Sequence, residues 1–444
     1  MRKIFSRVYG IILDMEKLLS TRRTFIGAVA CASASPSLAA WAAAAEHPLA
    51  GSKWAGWKSG EFQVHFIYTG VAESMFLIFP DSTSMLLDCG DHAAHARGKY
   101  VVPILPSMQR HAGEWIARYV RRVNPRGADV DYMLLSHFHN DHGGGSKWHA
   151  GVTTGRNPDY YLSGFAQAAE TLHFKTAIDR GWPDYSTPAP YGGGEIAALV
   201  DNMKALYAHL EKRDGLKVER FRLGVDDQIV LRHAHAPGFR AFNFAVNGLI
   251  CSPSTGQVTN PYEYLLAVKP GECLNENGMS AGTLFTYGGF TFYTAGDFSD
   301  VIKRADGKDR QLEDDLAAVM PKVNVAKINH HGHHSMSKAL AAALDAQCYV
   351  GCIWDQLHMT DDTMENLESS LGGHMYFPGI VPTFFMKKDG IMRPWMKKTA
   401  DPCWEGAHIV LSVPPGGERY TMTCISAADE SMTVKAVFDF KTSR

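Results

Sequence analysis

The stretch Ser136-His137-Phe138-His139-Asn140-Asp141-His142-Gly143-Gly144 decides how this chain is read. It follows Val130-Asp131-Tyr132-Met133-Leu134-Leu135, an apolar run that predicts a buried strand, so the histidines fall on the loop leaving that strand. Three imidazoles and a carboxylate then lie within six positions. Neutral imidazole nitrogen and carboxylate oxygen are donors that zinc-type cations take. His137 and His139 are two apart, so on extended backbone their rings point the same way. Asp141 and His142 follow at once and can serve a second cation beside the first. Gly143, Gly144 and Gly145 let the backbone turn sharply and come close to the site. A lone histidine more often belongs to a satisfied core. This spacing at a strand end, followed by glycines, points to metal.

Two later stretches can complete the set. Thr283 to Tyr287 and Phe290 to Thr294 read as strands joined at Gly288-Gly289, with Gly296-Asp297 at the tip. Val323 to Asn329 reads as a strand running into His330-His331-Gly332-His333-His334. Upstream, Phe62 to Tyr68, Ser74 to Phe79 and Ser84 to Gly90 predict three strands separated by turns, and Ser107 to Val123 carries a helical apolar stripe. Strands alternating with helices indicate a layered α/β architecture.

The pattern H-x-H-x-D-H at His137, His139, Asp141 and His142 resembles the signature of the metallo-β-lactamase superfamily. The opening strands ending in Leu86-Leu87-Asp88-Cys89-Gly90, the Gly296-Asp297 tip and the His330-His331-Gly332 loop resemble it too. The resemblance covers roughly residues 62–340 and implies an α/β fold, a four-layer αββα sandwich with an inserted helical segment and a β-rich C-terminal extension. It implies that Asp88 orients loops, that Asp297 bridges two metals, and that one of His330 and His331 binds metal. His331 is the expected ligand and His330 the expected acid, base or substrate holder. The implied metal set is His137, His139, Asp141, His142, Asp297 and His331, with Asp141 or His330 protonating the leaving group. A third histidine for the first metal is not obvious, and Asn277-Gly278-Met279-Ser280 stands where it would be expected. A subgroup containing the hydrolase domain of the bacterial DNA-uptake channel protein and the phosphorylcholine esterase is similar in this respect.

The expected chemistry is hydrolysis assisted by two Zn²⁺ ions, or by Mn or Fe in their place, on an ester-type bond: phosphodiester, carboxylic ester or lactone. The alternatives are a non-haem iron dioxygenase on the same fold and a non-catalytic envelope binding protein.

The remaining sequence sets the context. Arg22-Arg23 precedes an alanine-rich stretch from Ile26 to Ala44, which resembles a twin-arginine export signal over residues 1–45. A linker over 46–60, a hydrolase domain over 61–345 and a C-terminal part over 346–444 are expected to follow. The expected location is periplasmic or secreted, with the twin-arginine machinery as a partner. Removing residues 1–45 leaves a net charge of about −6, which disfavours a nucleic-acid partner and leaves a small-molecule ester as the expected one. Residues 151–222 read as an insertion, with a helix from Glu195 to Asp214 stopped by Gly215. Tyr160, Tyr161, Trp182, Tyr185 and Tyr191 form either a substrate rim or ordinary packing. Gln228 to Leu231 reads as a strand. His233 and His235, with no carboxylate or glycine loop after them, are not taken as ligands. Seven scattered cysteines after residue 45 suggest buried thiols rather than a disulfide framework.

Overall fold

Strands buried on both faces carry apolar residues without alternation, and those of the N-terminal half do so. The computed structural model describes residues 43–442 apart from 69, 71, 92–102, 148–153, 155–158, 187–190, 355–357, 369–373 and 377–405. The expected export signal lies almost wholly outside the described residues. In the first half, β1 (Phe62–Phe66), β2 (Ser74–Ile78), β3 (Ser84–Cys89), β4 (Asp129–Leu134), β5 (His173–Asp179) and β6 (Lys217–Arg220) pair in that order. The first three are antiparallel, and β3 to β6 are parallel. The second sheet contains β7 (Phe239–Val246), β8 (Leu249–Cys251), β9 (Val258–Thr259), β10 (Gly282–Tyr287) and β11 (Phe290–Thr294). A separate pair, β12 (Val301–Lys303) and β13 (Asp309–Gln311), lies between these and β14 (Val325–Lys327), β15 (Cys348–Val350) and β16 (His374–Tyr376), which extend the second sheet. Finally β17 (Ala407–Val413), β18 (Arg419–Ser426) and β19 (Val434–Lys441) return to the first sheet beside β1.

Alternate residues of each inner strand feed different cores. Phe62, Phe66, Met75, Leu77, Tyr132 and Leu134 meet Phe285, Phe290 and Phe292 between the sheets. Phe76, Ile78, Leu86, Val130 and Met133 face α1 (Ala112–Val123) and the helix Glu195–Asp214 on the outside. In chain order α2 (Asn140–Gly143), α3 (Phe165–Ala168), α4 (Glu195–Asp214) and α5 (Glu263–Val268) follow. Beyond the second sheet, α6 (Leu312–Ala317), α7 (Lys338–Leu344) and α8 (Asp361–Glu368) pack against Leu284, Tyr293 and Ala326. The result is the four-layer αββα arrangement expected, with a β-rich C-terminal extension.

Several local expectations change. The first helix starts at Ala112, not near Ser107, because Glu114 reaches back to His111 N at 3.3 Å and closes the N-terminus there. Segment 151–222 adds β5 and β6 to the first sheet, so it extends the sheet as well as supplying α4. Helix α4 spans Glu195–Asp214 as read, and Gly215 ends it with φ +72°. Gln228 to Leu231 is not a strand: the Gln228 side chain binds Arg222 N, Arg220 O and Asn243, so local polar bonds replace a ladder. No disulfide joins the described cysteines, and Cys403 lies outside the described residues. No helix among the described residues is long and apolar enough to cross a membrane.

The layers place function at one edge. The loops after β3, β4, β11, β14 and β15 all leave the C-terminal ends of parallel-paired strands. That edge of an α/β sheet is where strand-end side chains can converge.

Candidate metal centre

Asp88 ends β3 with a left-handed backbone, φ +57°. This conformation is uncommon for a residue with a Cβ and persists where the surroundings over-determine it. Its carboxylate accepts from Ser136 N and Ser136 Oγ, both at 2.7 Å, and from His142 Nδ1 at 2.8 Å. The first two bonds pin the start of the histidine loop, and the third turns His142 Nε2 inward. The loop then needs close backbone approach: a Cβ on Gly90 would overlap the Asp141 carbonyl, and one on Gly144 (φ +105°) would lie 2.6 Å from Ser163 O.

The other rings are oriented the same way. The Ser136 hydroxyl proton goes to Asp88, so His137 Nδ1 donates to Ser136 Oγ at 3.1 Å. His331 Nδ1 donates to the Cys352 carbonyl at 2.8 Å. Each of the three imidazoles therefore has one nitrogen tied to a protein acceptor and Nε2 left facing inward. Such partners fix tautomer and ring direction in metal-binding histidines.

The free atoms converge. Asp297 Oδ2 lies 3.2 Å from His142 Nε2, 3.4 Å from His331 Nε2 and 3.8 Å from His137 Nε2. His137 Nε2 and His139 Nδ1 are 3.0 Å apart, and His142 Nε2 and His331 Nε2 are 3.2 Å apart. Asp141 Oδ2 is 3.3 Å from His331 Nε2. Two overlapping donor groups result: His137, His139 and Asp297, and then His142, His331 and Asp297 with Glu73 near. Glu73 Oε2 sits 2.7 Å from Lys327 Nζ and 3.5 Å from His331 Nδ1, so it backs the ring while Asp141 meets its Nε2.

The charges call for a cation. Burial opposes protonation of His142, yet Asp297, Asp88 and Asp141 hold it well above the ordinary imidazole value. Burial likewise opposes charge on His331, but Asp297 and Asp141 raise it to about 9. Burial also works against ionised Asp297, which the facing His142 and His331 hold well below the carboxylate range. His137 stays neutral through burial and the nearby His142 and His139. Asp297 Oδ1 is buried without a hydrogen-bond partner. The carboxylates are met in the metal-free site by charged His142, His331 and Lys327, and a buried set of imidazole nitrogens and carboxylate oxygens fits divalent cations.

The other histidines have different surroundings. His330 lies 3.1 Å from Asn277 Nδ2 through Nε2 and 3.2 Å from Ser299 Oγ through Nδ1, and burial lowers it to about 4. Both His330 and His331 are left-handed, φ +46° and +53°, which swings the adjacent rings apart. His334 pairs with Asp362 at 3.0 Å on the surface. His233 pairs with Asp131 at 3.1 Å, and His235 is exposed. Of the proposed rim, Tyr160 and Tyr185 are core residues, and Tyr185 Oη donates to the buried Asp179 at 2.8 Å. Tyr161, Trp182 and Tyr191 are half-buried. A cleft of about 240 Å³ beside His139 is lined by Phe138, Asn140, Gly193, Glu195, Ile196 and Leu199. So α4 of the insertion walls the site with aliphatic side chains rather than tyrosines.

Sequence reading missed Glu73, Lys327, Arg180 and Glu276. Lys327 alone left a trace, as a single charge inside the apolar strand from Val323 to Ile328.

Residues 68–157 match the sequence profile of the metallo-beta-lactamase superfamily. This part of the chain carries that superfamily's domain signature. The match includes Asp88 and the whole first loop, and stops before Asp297 and His331. No curated protein matches the chain significantly. Superfamily and donor cluster together support a metal-dependent hydrolase in general terms.

Proposed function

We propose that the protein is an exported hydrolase that holds two divalent cations, zinc foremost, and cleaves an ester-type bond, either a phosphodiester or a carboxylic ester or lactone. The observation that carries this reading is the trio His137, His142 and His331, each with Nδ1 tied off and Nε2 aimed at Asp297. His137, His139 and Asp297 would hold one cation, and Asp141, His142, Asp297 and His331 the other. Cations held there supply a water acidic enough to lose its proton near neutral pH and a Lewis acid for the substrate oxygen.

The chain's own groups do the rest. Asp297 Oδ2 lies between the two donor sets and keeps them at a fixed separation. Asp141 is partly exposed where Asp297 is buried, and against the effect of burial His142 and His331 hold it well below the carboxylate range, so it would take up the attacking water's proton and hand it to the leaving group. His330 stays neutral and buttresses the turn through Asn277 and Ser299. The cleft beside His139 takes the non-reacting part of the substrate against Ile196 and Leu199. Export rests on Arg22-Arg23 and the alanine-rich stretch after it.

The test is metal analysis of the purified protein with a hydrolysis screen over phosphodiesters, lactones and β-lactams, using His139→Ala as the blank. About two zinc equivalents and a signal absent from the blank are expected. Near-zero metal would leave a binding protein, and redox-active iron would leave a dioxygenase.

A further inference from the structure

Between His137 and His139 the chain is no longer strand: it bends at His137 and Phe138, so the direction of the two outer rings depends on what fixes the middle residue. Here the middle residue is Phe138, whose N–H points into protein and needs an acceptor. Glu276 Oε1 accepts it at 2.8 Å. The same carboxylate binds Arg180 Nε at 2.6 Å and Nη2 at 2.5 Å, and the Arg180 guanidinium lies 5.4 Å from the Phe138 ring centroid. One buried ion pair thus holds the middle residue by both its backbone and its ring. Both partners' side chains are only 2% exposed. Asn247 secures Arg180 in turn, accepting from Nη1 at 3.2 Å and donating to the Arg180 carbonyl at 2.8 Å.

The segment after Glu276 reaches the other strand ends. Ala281 N donates to Ser136 O at 2.9 Å, Asp297 N donates to Ser280 Oγ at 3.2 Å, and Asn277 Nδ2 lies 3.1 Å from His330 Nε2. Residues 276–281 therefore touch the first histidine loop, the Asp297 tip and the last histidine loop. Net stability does not explain the ion pair, since desolvating two charges largely offsets their attraction and apolar side chains can fill such space. Apolar side chains could not, however, accept the Phe138 N–H.

We propose that Glu276, held by Arg180, is a positioning residue of the metal centre, fixing Phe138 so that His137 and His139 converge on one cation. It rests on the metal reading above. In this chain the residue just before the segment where a third histidine was expected aligns the other two.

The test uses the full chain with Arg180→Met/Glu276→Met, which removes both charges at similar volume, and Arg180→Met/Glu276→Gln, which restores an acceptor for Phe138 N–H. Zinc is titrated against a chromophoric chelator, and Phe138 amide exchange is followed in metal-free protein. In the Met/Met variant one of two zinc equivalents weakens about 10–100-fold, as for lost outer-shell partners, while the other holds. Its Phe138 amide exchanges at least about tenfold faster, and the Gln variant recovers part of both effects. If Met/Met fails to fold, the Gln variant carries the same comparison with wild type, at smaller effect. A folded Met/Met variant with both equivalents and the amide unchanged overturns the proposal alone, as does a Gln variant that weakens both equivalents equally. A wild-type chain that takes up no zinc overturns the hydrolase reading and this one with it.

Discussion

Two groups of histidines serve the first sheet, His408 half-buried and the others buried, and they differ in one respect. His137 and His142 share their space with Asp88, Asp141 and Asp297. His65 on β1 and His408 on β17 share theirs with Tyr119, Gln63 and Arg122. His65 Nδ1 meets Tyr119 Oη at 2.9 Å, and His408 Nδ1 accepts from Tyr68 N at 3.0 Å. Burial, aided by His408, lowers His65 to about 3; burial, aided by Arg122, lowers His408 to about 3. In the first group carboxylates reverse that effect at His142, as they do at His331 facing it, while His137 stays neutral. The comparison teaches that burial with no carboxylate facing the ring keeps an imidazole neutral and structural. Carboxylates facing its free nitrogen make the same ring part of a site that demands a cation.

The largest effect should come from removing the shared carboxylate. Asp297→Ala should abolish uptake of both zinc equivalents and lower hydrolysis by about 10³-fold or more, with far-UV circular dichroism unchanged. Retention of two equivalents would show that the two donor groups do not share this oxygen. Next, Asp88→Asn should weaken zinc binding roughly 10–100-fold, because the amide cannot accept from both Ser136 and His142 as the carboxylate does. His65→Ala should leave zinc affinity unchanged in the same titration, and a parallel loss would erase the distinction between the groups.

Acid should then separate them by stability. His65 and His408 are neutral in the fold, so the unfolded chain binds protons near pH 6.5 that the native state refuses. Their contribution is full above about 6.5 and falls as pH drops toward about 3. At pH 5 the loss should be on the order of 2 kcal/mol per ring, read from urea midpoints at pH 7 and 5. In metal-free protein His331 runs the other way: its contribution is full below about 6.5 and fades as pH rises through about 9. The smallest effect follows from this. Zinc binding at pH 7.5 should release about one to two protons, measured calorimetrically in buffers of different ionisation enthalpy. Absence of release would mean that His142 and His331 are already neutral.

Much of the site was legible because its chemistry is locally dense. His137 to His142 packs four donors into one loop, and Asp297 and His331 each follow a recognisable strand. Helix α4 was legible to its last residue because an apolar stripe and a glycine stop agree. The tyrosines left two readings open, rim or packing, and for Tyr160 and Tyr185 only burial decides for packing, with Asp179 claiming Tyr185. The strand read at Gln228 failed because side-chain amide bonds, invisible in a hydropathy pattern, took the place of a ladder.

By itself the sequence determined the donors, the alternation of strands and helices, and the strand ends from which the donors come. Those follow from side-chain chemistry and from periodicities that neighbouring residues carry. Only the tertiary structure decided which nitrogen of each ring faces inward and what holds it there. Asp88, Cys352 and Glu276 reach their partners across 48, 21 and 138 positions of chain, and no local pattern records a hydrogen bond made at such range.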